Sequence, residues 1–92
     1  MKEKTLFAMC VNRWGYSAQT LQVAEECAEL IKECLKVVNR GKDPYGGDLA
    51  DELADAQLMI DQAIWMYNLS DEVERIREEK KERLLAKLNG LH

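Results

Sequence analysis

The sequence predicts an all-α fold: a helical bundle of about four helices, one short and N-terminal and three longer, in a single domain spanning residues 1–92. Three observations predict it. Apolar residues recur at spacings of three and four over long stretches, no alternating period of two occurs, and Gly and Pro punctuate the chain at few places.

The first element is "TLFAMCVNRW", two to three helical turns closed by Gly15. Ser17 is the expected N-cap of a long second helix running to about Val38, because its hydroxyl can accept one of the free N–H groups of the first turn. Asn39, Arg40 and Gly41 end that helix, and "GKDPYGG" is a loop, since Pro44 cannot continue a helix and Gly46 and Gly47 supply backbone freedom. Asp48 is the expected cap of a third helix reaching about Asn68. Ser70, with Asp71 and Glu72 in the first turn, starts a fourth that ends near Asn89 and Gly90.

Leu21, Ala24, Ala28, Ile31, Leu35 and Val38 form one apolar stripe on the second helix, widened by Cys27, Leu30, Cys34 and Val37 and expected to pack against the third. The third helix is apolar nearly all round, which predicts burial on several sides. The fourth keeps a narrower seam, Val73, Ile76, Leu84, Leu85 and Leu88, among charges that include an expected Glu79–Arg83 pair.

Composition bounds the function. A 92-residue chain buries only about 60 to 65% of its unfolded surface, yet 47% of this one is hydrophobic, so the bundle is expected to be completed by oligomerisation as a homo-oligomer. A net charge of −4 offers no basic stripe for a phosphate backbone, which argues against a nucleic-acid partner and for a cation. No apolar run long enough to span a bilayer occurs, and "MKEKTLFAMC" lacks a signal-peptide pattern, so no membrane is expected and the expected location is the cytoplasm. Cys27 and Cys34 lie about 10 Å apart along one helix, too far for a disulfide; with Cys10 they read as reduced packing thiols.

Acidic residues carry the functional signal. Glu25, Glu26, Glu29 and Glu33 stand beside the apolar stripe of the second helix, and Glu26 and Glu29 are one turn apart on one side. Glu52 and Asp55 repeat that spacing on the third helix, so two antiparallel helices could aim four carboxylates into one gap. Two carboxylates about 5 Å apart repel by roughly 3 kcal/mol at an effective dielectric near 20. A divalent cation removes that cost, and oxygen-only ligands suit Mg²⁺, with Mn²⁺ as the alternative. Rival carboxylate sites do not fit: a di-iron bundle needs two Glu-x-x-His motifs where His92 is the sole histidine, and neither an EF-hand loop nor a phosphate-binding Gly-rich loop is present. The competing view is a non-catalytic helical assembly module whose acids only keep its faces solvated.

"QTLQVAEECAELI" followed by "GGDLADELADAQLMIDQ" resembles the MazG-like all-α nucleoside triphosphate pyrophosphohydrolases. Their hallmark is Glu-x-x-Glu, a spacer, then Glu-x-x-Asp; here Glu26 and Glu29, 22 intervening residues, then Glu52 and Asp55 match it. The resemblance implies Mg²⁺-dependent hydrolysis of a nucleoside or deoxynucleoside triphosphate to the monophosphate and pyrophosphate by a dimer or tetramer. Glu26, Glu29, Glu52 and Asp55 would then be metal ligands, and Glu25 either an outer ligand or the base that activates water; Glu33 lies outside the motif. Gln19 matches a polar position of the family and would touch base or sugar. Trp14 has two uses open to it, stacking on a base or packing in the core. Lys80, Lys81 and Arg83 of the last helix would face phosphates, or else pair with Glu78, Glu79 and Glu82. Where the related phosphoribosyl-ATP enzymes carry an aromatic-His pair this chain has "AQLMID", which disfavours that substrate.

Overall fold

A computed structural model describes residues 1–90. It contains four α-helices, α1 (Glu3–Trp14), α2 (Tyr16–Arg40), α3 (Asp48–Met66) and α4 (Ser70–Leu88). The expected all-α bundle is therefore the observed one, and among the described residues no helix is long and apolar enough to cross a membrane.

Backbone chemistry explains where the helices break. Gly15 adopts φ 89° and turns the chain from α1 into α2 within one residue, a conformation glycine reaches without a side-chain clash. This overturns the expected cap at Ser17. With α2 already begun at Tyr16, Ser17 lies inside the first turn, and no side chain caps the helix. Gly41 closes α2 in the left-handed conformation while the Lys42 N–H bonds back to the Lys36 carbonyl, an arrangement that satisfies an otherwise free carbonyl of the last turn. Asp48 is not the cap expected of it either: Gly47 holds that position, and Asp48 is the first residue of α3, its carboxylate turned to Lys42. Asn68, at φ 55°, ends α3 two residues before α4, while the Leu69 N–H bonds back to Ile64.

The central unit is the antiparallel pair α2 and α3. α1 packs on both, α4 touches only α3, and α3 thus meets every other helix. Phe7 of α1 is buried near Trp65, their rings 6.2 Å apart, and Ala56 and Met66 complete the fully buried apolar core.

The main line of the expected α2 stripe does not face α3, although Leu30 and Val37, which widen it, lie along the seam. Leu21, Ile31, Leu35 and Val38 are all more than half exposed. The seam runs instead through Gln19, Glu26 and Glu33, which meet α3 or its leading loop, with half-buried Val23, Leu30 and Val37 alongside them. At 100° per residue that seam lies about 150° around the helix from the apolar stripe, so the stripe points away from the hairpin. Cys34 is exposed too.

Three polar rungs cross the seam. Gln19, Glu26 and Glu33 are spaced by seven along α2, and their opposites Gln62, Asp55 and Asp48 are spaced by seven along α3. Seven residues are close to two turns, so each series stays on one face and successive rungs are about 10 Å apart.

Candidate metal centre

Each rung resolves its polarity differently. In the first, the Gln62 amide donates to the Gln19 carbonyl oxygen, and both side chains are buried. In the third, two acids share an internal cation: Lys42 Nζ lies 2.6 Å from Glu33 and 2.8 Å from Asp48. Lys36 adds a longer contact to Glu33 at 3.8 Å. These contacts raise the pKa of Lys42, through its hydrogen bonds to Asp48 and then Glu33, and lower that of Asp48.

The middle rung has acids and no cation. One carboxylate oxygen from each of Glu26, Glu52 and Asp55 lies within 4.8 Å of the others. Glu52 and Asp55 reach the gap from one turn of α3 and Glu26 from α2, where Gln22 Nε2 donates to it at 3.1 Å. Among the described residues, no Lys or Arg forms an ion pair with any of the three. Glu52 Oε2 is buried without a hydrogen-bond partner. Removal from solvent, and then the negative charges of Asp55, Asp51, Glu29 and Glu26, push the Glu52 carboxyl above its usual pKa. Three oxygen donors around a gap that holds no cationic side chain fit a hard divalent ion that keeps some of its water.

Glu26 and Asp55 of the triad line a pocket of about 390 Å³, together with Trp14 and Cys10 of α1, Gln19 of α2 and Met59 of α3. Trp14 is 57% exposed at this pocket, with the Arg13 guanidinium 5.9 Å from its ring centre. It is therefore not the core residue that one of its two uses required.

Other residues singled out in the sequence sit elsewhere. Glu29 contacts Lys32 at 3.4 Å and is outside the triad, although its charge is felt at Glu52. Glu25 is exposed and also outside it. Glu33 belongs to the Lys42 rung. Lys81 pairs with Glu78 at 2.7 Å, and Lys80 and Lys81 border a separate apolar groove on α4 with Ile76 and Leu84. Neither they nor Arg83 line the triad pocket. The expected Glu79–Arg83 pair is replaced: Arg75, one turn earlier, bridges Glu72 at 2.6 Å and Glu79 at 2.8 Å.

Sequence reasoning passed over Gln62, Lys42 and Gln22. Gln62 carried a signal, its spacing of seven from Asp55, whereas Lys42 carried none, because only the folded loop brings it to Glu33 and Asp48. Comparison of the chain with protein-family models, with curated proteins and with solved structures found no match.

Proposed function

We propose that this chain is a Mg²⁺-dependent hydrolase, able to use Mn²⁺, that converts a nucleoside or deoxynucleoside triphosphate to the monophosphate and pyrophosphate. The triphosphate substrate and its products are what the resemblance of Glu26-x-x-Glu29 and Glu52-x-x-Asp55 to the MazG-like enzymes implies; the observation that supports a metal-dependent reading is the middle rung. Neighbouring rungs are balanced, one by an amide bond and one by Lys42, while Glu26, Glu52 and Asp55 converge without a cation beside an open pocket. A bound divalent ion would supply the missing positive charge, screen a polyphosphate from the acids and acidify the attacking water.

The chain's own residues divide the remaining work. Glu26, Glu52 and Asp55 hold the ion. Glu29 can leave its exposed contact with Lys32 at little cost and join them. Glu25, exposed and one residue from Glu26, is assigned the role of proton acceptor or outer ligand on the family resemblance. Trp14 offers an accessible ring for a base and Gln19 a polar contact for it. Lys80, Lys81 and Arg83 can meet phosphate only if a second copy brings its α4 across, because α4 packs on α3 alone within one chain. A homo-oligomer, dimer or tetramer, working in the cytoplasm completes the proposal.

The test is incubation of purified protein with a panel of NTPs and dNTPs plus Mg²⁺. Pyrophosphate should appear with the monophosphate; release of orthophosphate alone, or no product, rejects the assignment. The second reading, a non-catalytic assembly module, draws on the exposed stripe of Leu21, Ile31, Leu35 and Val38. It requires that Mg²⁺ and Mn²⁺ leave the melting temperature unchanged.

A further inference from the structure

We infer that Gln62, a residue that touches no ligand, sets base selectivity by locking the Gln19 amide so that its N–H₂ faces the pocket, which then favours bases bearing a carbonyl over those bearing an amino group. The inference rests on the proposed nucleotide reading of that pocket.

Gln62 is 1% exposed, more deeply buried than any other large side chain among the described residues. A buried amide is costly unless hydrogen-bonded, and the bond this one makes is to Gln19. The direction of that bond follows from donor and acceptor accounting. As observed, Gln62 donates and only its own carbonyl oxygen is left without a partner. Turning both amides over would instead strand the Gln62 N–H₂, and buried N–H groups without acceptors are rarer than unpaired carbonyls. Gln62 therefore occupies the Gln19 oxygen and leaves the Gln19 N–H₂ as the polar group available to the pocket that Gln19 lines.

Position gives that donor its use. Gln19 lies one rung from Glu26, about 10 Å along α2, a separation comparable to the length of a nucleoside. With the phosphates drawn to the acidic triad and the ring against Trp14, the edge that reaches Gln19 is the one farthest from the sugar. There uracil and guanine present a carbonyl oxygen, an acceptor, whereas cytosine and adenine present an amino group, a donor that would oppose the Gln19 N–H₂.

The experiment compares kcat/KM, with Mg²⁺, for UTP against CTP and GTP against ATP in wild type, Gln62→Leu, Gln62→Met and Gln19→Glu. One mispaired polar group is expected to separate the members of each pair by roughly five- to 150-fold. Wild type should favour UTP and GTP by a factor in that range. Both Gln62 variants, of similar volume and without a donor, free Gln19 to turn over and should bring the ratios close to one. Two variants guard against one failing to fold. Gln19→Glu, whose carboxylate accepts from Gln62 with one oxygen and presents the other, should reverse the preference. A wild-type preference for the amino-bearing substrates, or ratios unchanged in both Gln62 variants, overturns the inference while leaving the hydrolase intact. Absence of turnover with these four triphosphates and with their deoxy counterparts removes the hydrolase reading and this inference with it.

Discussion

Glu52 carries one carboxylate oxygen out of solvent with no donor to meet it, in a field set by four neighbouring acids. Its pKa in the folded chain lies above the ordinary value of 4.5, so between the two values the folded state binds more protons than the unfolded one. Linkage then fixes the sign: the strain at Glu52 is absent below pH 4.5 and grows as pH rises through the raised value. In EDTA, the melting temperature should therefore carry a component that falls as pH rises through that window. Glu52→Gln should remove the component and raise metal-free stability at pH 7; a lower melting temperature for this variant would contradict the charge argument. Because Mg²⁺ needs the deprotonated carboxylate, its affinity should weaken on acidification at a higher pH than an ordinary glutamate would give, measurable by calorimetry. Asp55→Asn and Glu26→Gln should each cost at least about 100-fold in turnover, since changes even to groups that merely support a ligand cost 10- to 100-fold. These three acids were legible in the sequence because acids one turn apart mark one side of a helix. The different fates of Glu29 and Glu33 were not, because they depend on Lys32 and on a loop lysine.

The hairpin of α2 and α3 is built around its polar rungs, and Lys42 is what closes the lowest one. Removing its ammonium leaves Glu33, with only 8% of its side chain exposed, facing Asp48 with no cation but the distant Lys36. Lys42→Met should lower the melting temperature at pH 7, and adding Glu33→Met to it should recover most of the loss; strictly additive losses would show that the rung is not coupled. Helix existence and order were legible from periodicity and from Gly15, Gly41 and Pro44. The caps at Ser17 and Asp48 were misread because glycines with positive φ took the cap positions themselves. The main line of α2's packing face was misread for a deeper reason: hydrophobicity locates a face that must be covered, not what covers it, and here the covered face alternates polar rungs with Val23, Leu30 and Val37.

At the scale of the whole molecule, the chain is too open for its length. Its radius of gyration is 16.3 Å, against about 12 Å for a compact domain of this size. The α2 stripe and the α4 residues Leu84, Leu85 and Leu88 are exposed together. A second copy covering the stripe would explain both facts. Light scattering should give at least a dimeric mass, and Ile31→Glu with Val38→Glu should shift it toward monomer; a monomeric wild type would contradict the oligomer. The most direct measurement for the account as a whole is a titration of the metal-free protein with Mg²⁺ or Mn²⁺, followed by calorimetry and melting. The account predicts saturable binding that is lost in Glu52→Gln. At about 100 times Kd, it predicts a gain of about 2.7 kcal/mol, or roughly 10 to 20 °C in melting temperature. No heat of binding and an unchanged melting temperature in wild type would contradict it.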